Sequence, residues 1–296
     1  MIITVMGATG QTGHVICTRL LHAGATVRAL GRSEEKLAPL AALGAEPWVG
    51  APDDAAFLAR PFAGADAAYL LLPYGLDVDD YLARQREQSE AMVEAIRASR
   101  LPRAVALSSV GAELASGNGP IRSLHSHEAR LRGIEGLDLL ILRAGAFFEN
   151  FVPALGVIRE HGMVADAMAP DVDLPMIASR DIAEAAAQAL LATDWHGQRV
   201  RELLGQRDLS YAEATRIIGA RIGQPELPYV QMPQEEMAGI LAGAGFSASL
   251  AALYVELAQA ISDGRIRSLE GRDASNSTPT AFEAFADELA ALYRSA

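Results

Sequence analysis

Gly7, Gly10 and Gly13 stand at steps of three in the stretch GATGQTG, between the apolar run Ile2–Met6 and a helical pattern near Thr12–Ala23. A turn from a parallel strand into a helix presents the first N–H groups of the helix, and glycines let the backbone close on an anion held there. The chemistry expected of Gly7, Ala8, Thr9, Gly10, Gln11, Thr12 and Gly13 is pyrophosphate binding. The spacing is G-x-x-G-x-x-G and not the better-known G-x-G-x-x-G, so the flanking strand and helix carry the reading. The end of the second strand then selects the dinucleotide: a carboxylate there accepts from a ribose 2′-hydroxyl, whereas a cation suits a 2′-phosphate. The chain has Leu30-Gly31-Arg32-Ser33 at that point, with Lys36, its only lysine, one turn further on. Arg32, Ser33 and Lys36 are expected to hold a 2′-phosphate, which places NADP(H) ahead of NAD(H), with NAD(H) still open.

A turn of this kind works only inside a particular framework, and the pattern supplies one. Apolar runs at Ile2–Met6, Thr26–Leu30, Glu46–Val49, Ala67–Leu72, Ala104–Ser108 and Leu139–Arg143 alternate with helical patterns near Thr12–Ala23, Glu34–Ala42, Asp54–Arg60, Asp80–Ser99 and Leu124–Glu135. Such alternation predicts right-handed βαβ units. The expected fold class is α/β, a Rossmann-like parallel sheet with helices on both faces and a smaller, mostly helical C-terminal lobe. The rhythm changes after Asn150: helices are expected near Pro153–His161, Ser179–Ala192 and Ser210–Ile222, strands at Val200–Leu204 and Tyr229–Met232, and helix again through Tyr293. Residues 1–150 are read as the NAD(P)-binding part and 151–296 as a lobe over the sheet, with 200–204 a candidate to return to it. Gly271–Thr280 reads as a polar loop.

Composition narrows the classes. Half of the 296 residues are hydrophobic, enough for a full core, and the net charge of −12 argues against a sequence-independent grip on nucleic acid, leaving only a local basic patch open. Cys17 is the single cysteine, so neither a disulfide framework nor a thiolate metal cluster is expected; it reads as a small buried hydrophobe. No His/Asp/Glu cluster has metal-ligand spacing, and no apolar run reaches the roughly 18 residues of a membrane span. A soluble, reduced, cytoplasmic protein with a small-molecule partner is expected.

Seven stretches carry a family resemblance: GATGQTG at Gly7–Gly13, VRALGRSEEK at Val27–Lys36, SSVGA at Ser108–Ala112, ILRAGAFFENF at Ile141–Phe151, ASRDIAEAAA at Ala178–Ala187, ELLGQRDLSYAEA at Glu202–Ala214 and GRDASNSTPTAFEAFA at Gly271–Ala286. Jointly they make the chain resemble the NmrA-like branch of the atypical, extended short-chain dehydrogenase/reductases, which includes NAD(P)H-dependent quinone and dye reductases and redox-sensing regulators. The resemblance implies that Gly145, Phe148 and Asn150 lie beside the nicotinamide end of the cofactor, that Leu72 and Pro73 line it from the other side, and that Ser108 and Ser109 stand where the superfamily places its hydrogen-bonding serine. Gly50-Ala51-Pro52-Asp53 departs from the family's usual Gly-Asp, which leaves Asp53 or Asp54 to supply the contact to the adenine edge.

Ordinary short-chain dehydrogenases protonate the substrate with a Tyr-x-x-x-Lys pair. Here the matching segment reads Ser123-Leu124-His125-Ser126-His127-Glu128, and the only lysine is Lys36, so that route is closed. Ser108, His125, with His127 on the same helix, and Tyr74 are the remaining candidates for hydrogen bonding or proton supply. Hydride transfer to a quinone or a delocalised cationic dye needs little acid from the protein, so positioning over an apolar floor of Phe147, Phe148 and Phe151 is expected to suffice. No Gly-x-Ser-x-Gly hydrolase elbow is present. The reading is an NADP(H)-dependent reductase of a small electrophilic acceptor such as a quinone; the alternative is a non-catalytic redox sensor acting through a protein partner.

Overall fold

A computed structural model describes residues 1–295 of the chain. Its main sheet contains β1 (Ile2–Val5), β2 (Thr26–Gly31), β3 (Glu46–Val49), β4 (Ala67–Leu70), β5 (Arg103–Ser109) and β6 (Asp138–Ala144). Ile3, Val5, Val27, Ala29, Ala67, Tyr69, Val105 and Leu142 are all enclosed, as strands covered on both faces require. The connecting helices are α1 (Gln11–His22), α2 (Glu34–Ala42), α3 (Ala55–Phe62), α4 (Tyr81–Ser99) and α5 (Ile121–Arg132). Past β6 come the short β7 (Ala146–Phe147), a 3-10 turn at Phe148–Phe151, α6 (Ala154–His161), β8 (Val164–Asp166), β9 (Leu174–Ile177), α7 (Ser179–Leu191) and β10 (Gln198–Leu203). The chain closes with β11 (Asp208–Leu209), α8 (Tyr211–Ile222), β12 (Tyr229–Gln231), α9 (Gln234–Gly243), α10 (Ala248–Ser262) and α11 (Phe282–Ser295).

The sheet order is β10-β6-β5-β4-β1-β2-β3, with every pairing parallel. Because β1 pairs with β2 on one side and β4 on the other, the order reverses there, and a crevice opens at the C-terminal ends of the strands. The strand expected at 200–204 is β10, seated in the main sheet beside β6. Two smaller groupings, β11-β9-β7 and β12-β8, have no counterpart in the sequence reading apart from β12. Their strands are two to four residues long, too short for a period to register. Gly271–Thr280 is polar, as expected, yet folded in: Asn276 is enclosed, its Nδ2 donates to the Gly271 carbonyl at 2.6 Å, and its own carbonyl accepts from Leu204 N at 2.8 Å.

A separate apolar core fills the C-terminal part. Phe148 packs 5.0 Å from Phe282 and 5.6 Å from Phe285, ring centre to ring centre, and Phe151 lies 5.2 Å from Tyr211. Cys17 is enclosed under α1, and burial pushes its thiol up to about 12. Among the described residues, no helix is long and apolar enough to cross a membrane. Since Phe148 is 1% exposed, Phe148→Ala is expected to lower unfolding stability by about 3–5 kcal/mol, read from denaturant titration.

Candidate functional site

The site begins where β1 turns into α1. Gly7 has φ +62°, and a side chain there would press within 2.8 Å of Leu71. A Cβ on Gly13 would collide with the Gly7 carbonyl, and one on Gly10 would lie 3.3 Å from the same oxygen. Gly10 N donates to that carbonyl at 2.9 Å, and Ala8 N donates to Leu30 O at 3.0 Å, which ties the loop to the end of β2. No side chain caps α1 and its first turn holds no carboxylate, so the amides of Gln11, Thr12 and Gly13 meet an open approach. That is a cradle for an anion, strengthened by the helix dipole. Thr9, Gly10 and Gln11 are exposed, whereas Thr12 is buried and its hydroxyl accepts from Tyr69 at 3.1 Å.

Arg32 is exposed at the end of β2, and Ser33 caps α2 by accepting from Lys36 N at 3.3 Å, which leaves its hydroxyl hydrogen to donate elsewhere. A cavity of about 360 Å³ lies alongside, walled by Arg32, Pro52, Pro73, Tyr74 and Arg84. Lys36 is exposed on α2 and outside that wall. Arg84 was not anticipated: it lies on the polar side of α4, where sequence gives a solvated charge no distinguishing mark. It is paired with Asp53. Asp54 caps α3, accepting from Phe57 N at 2.9 Å, and Asp53 keeps its Oδ1 buried without a hydrogen-bond partner, so each aspartate has one oxygen committed. Gly50 is required by packing, since a Cβ would meet the Phe57 ring at 2.5 Å.

At the other end of the crevice several expected roles meet prior commitments. Ser108 is buried and donates to Glu128 Oε1 at 2.6 Å. Glu128 also receives Arg143 twice, at 3.0 and 2.8 Å. Burial opposes ionisation of Glu128, but the bonds from Arg143 and Ser108 outweigh it and hold the carboxyl below its usual range. Ser108 is therefore a bracket between β5 and α5, with its hydrogen unavailable to a substrate. Ser109 donates to the neighbouring Val110 carbonyl at 2.8 Å. His125 is half-buried with Nδ1 2.8 Å from Ala112 O; a neutral ring then carries its hydrogen on Nδ1, and Nε2 can only accept. His127 is enclosed, with Nδ1 2.8 Å from Ser89 Oγ. Burial and the nearby Arg130 charge pull its pKa down to about 4, so it is a neutral core group at ordinary pH.

Tyr74 is 50% exposed and meets Tyr81 edge to face at 5.4 Å. Leu72 and Pro73 are half-buried, and the Pro73 carbonyl accepts from Gln85 at 2.8 Å. Gly145 brings two backbones together: a Cβ there would lie 2.5 Å from Pro175 O. Phe147 is half-buried and Asn150 exposed. Phe148 and Phe151 depart from the expected floor, since at 1% and 3% exposure they present almost no surface to a ligand. Aromatic residues spaced on a turn look alike whether they face a cavity or a second core, and here the second core claims them.

The NmrA-like family profile matches residues 1–286. The chain is 29% identical over 265 residues to the protein described as uncharacterized oxidoreductase YesF of Bacillus subtilis, covering 88% of this chain and 85% of that one. Among solved structures it is similar to the NADPH-dependent quinone oxidoreductase of Escherichia coli complexed with NADPH, with a TM-score of 0.81 and 22% identity over 98% of this chain and 99% of that chain. It is also similar to the triphenylmethane reductase of Citrobacter sp., with a TM-score of 0.83 and 20% identity over 98% and 100%.

A histidine whose pKa falls on folding binds its proton more readily in the unfolded chain. The stability tied to His127 is thus complete above its ordinary value of 6.5 and is lost as pH falls toward about 4. The loss is expected to reach about 3 kcal/mol. Denaturation of wild type and His127→Gln across that range should show a shallower decline in the variant.

Proposed function

The chain belongs to the NmrA-like family, and on that premise we propose that it binds NADP(H) along the crevice and reduces a small electrophilic acceptor of the quinone class. The observation that carries this reading is the uncapped N-terminus of α1 beside Arg32, with no carboxylate at the end of β2. In this reading the amides of Gln11, Thr12 and Gly13 hold the pyrophosphate. Arg32 and the Ser33 hydroxyl hold the 2′-phosphate, with Lys36 adding charge from one helical turn away. Pro52, Pro73 and Tyr74 enclose the adenosine half in the cavity they line. The likeness to an NADPH-bound quinone oxidoreductase and to an oxidoreductase of Bacillus subtilis supports it.

When bound, the reduced dinucleotide supplies a hydride. The protein's part is to orient the acceptor and keep water from competing, which for a bimolecular reaction accounts for much of the barrier. A proton for the product follows from solvent or from a positioned side chain.

Calorimetry tests the binding half: NADPH should bind more tightly than NADH, and Arg32→Ala should weaken NADPH by about tenfold or more while sparing NADH, the scale of one charge-assisted bond. Equal affinities would overturn the 2′-phosphate assignment. Gly10→Val should abolish binding of both while circular dichroism stays unchanged, because its branches occupy the anion's place. The catalytic half is tested by NADPH oxidation across quinones and cationic dyes. A protein that binds NADPH and oxidises it with none of them is not a reductase of this class.

A further inference from the structure

Helix α10 packs on the segments that follow β4 and β5. At its N-terminal end Ser247 N donates to Leu76 O at 2.7 Å and Ser249 Oγ accepts from Tyr81 N at 3.1 Å, both in the segment after β4. Two turns along, Leu257 packs so closely on Gly119, in the segment after β5, that a Cβ on that glycine would lie 2.8 Å from it. Between these anchors stands Tyr254, half-buried, whose hydroxyl lies 2.7 Å from Oδ2 of Asp166 at the end of β8. The second oxygen of that carboxyl, Oδ1, is enclosed and no side chain bonds to it. Tyr211 closes the group from the side of the segment after β6: its ring is 5.2 Å from Phe151 and 5.9 Å from Tyr229. Tyr229 is itself committed, donating to Met168 O at 2.7 Å.

We propose that Tyr254 and Asp166 form the site that receives the oxygen of a carbonyl or quinone acceptor, holding the negative charge that develops there and supplying its proton. This rests on the reductase reading and names the acceptor class for it. The proposal stands on position, since Tyr254 is carried by a helix anchored to the segments after both β4 and β5, and on elimination. Ser108 gives its hydrogen to Glu128, whose carboxyl the Arg143 bonds keep in its charged form, His125 Nε2 carries no hydrogen in the neutral ring, and His127 is sealed in the core. Desolvation holds the Asp166 carboxyl above its ordinary range, which favours the neutral acid, and the tyrosines around it keep their protons. An uncharged acid that donates to the phenol oxygen leaves the phenol hydrogen free to meet an oxyanion.

The step balances. The acceptor takes up two electrons and one hydrogen as hydride from the reduced dinucleotide, a carbonyl π bond opens, and the electron pair settles on oxygen. The Tyr254 hydroxyl hydrogen forms the new O–H bond, the acid hydrogen of Asp166 replaces it across the same 2.7 Å contact, and water returns a proton to Asp166. A triphenylmethane cation, by contrast, takes hydride at carbon and becomes neutral, with no oxygen charge to hold.

The test compares a quinone with such a cation in Tyr254→Phe, which removes one oxygen atom. Turnover with the quinone should fall about 100-fold, the loss typical of one oxyanion donor, and the loss with the dye should be about tenfold smaller or less. Asp166→Asn, which keeps the shape but cannot pass a proton, should slow quinone reduction with the same selectivity, and NADPH affinity by calorimetry should match wild type in both variants. Equal losses with the two acceptors, or unchanged quinone turnover in either variant, would overturn the assignment while leaving the reductase reading intact. No NADPH oxidation by wild type with any acceptor would overturn both.

Discussion

The constraint on which this molecule depends is the contact between Gly13 and the Gly7 carbonyl. Two stretches of backbone approach there more closely than any side chain permits. That approach drives the first turn of α1 against the end of β1, at the place where the sheet order reverses. It also explains why the helix starts without a capping side chain: the position that would hold one is Gly10, itself bonded to Gly7 O. Unmet amides and an unopposed helix dipole follow from packing, and together they favour negative charge at that end of the helix.

The opposite flank of the crevice is governed by charge. Ser108 and Arg143 are register partners on β5 and β6, and Glu202 on β10 is the next partner along, so three polar side chains form a row across the strands. Glu128 reaches this row from α5, and Glu202 turns away to bind Ser268 and the Leu269 amide. A buried guanidinium is tolerable only with such partners, and removing one of them would leave its charge unpaired. This network takes Ser108 from the region where an acid–base pair was sought, while His125 and His127 are held separately by Ala112 O and Ser89.

Periodicity made the first half of the chain legible: β3 and α2 fall on their expected residues, and most other boundaries lie within one to three positions. Glycine spacing made the tight turn from β1 into α1 legible, because only a few backbone geometries use glycine at that spacing. The phenylalanines misled, since Phe148 and Phe151 are as apolar in a core as in a pocket, and their partners Phe282, Phe285 and Tyr211 lie far along the chain. Arg84 with Asp53 and Tyr254 with Asp166 were invisible for a related reason. Each is a contact between distant elements, and no local spacing records it.

The position of β10 in the sheet has a bearing on how the chain is made. Translation delivers β6 some fifty residues before its outer neighbour, so Leu139–Leu142 emerge as a bare apolar edge, the kind of strand that recruits other chains. A nascent protein thus passes through an interval in which its main sheet is one strand short. The intervening helix α7, packed against α1, covers a face of the sheet in that interval but leaves the edge open. Pairing of β10 closes that edge, so the interval before it is when the chain is most open to association with other chains.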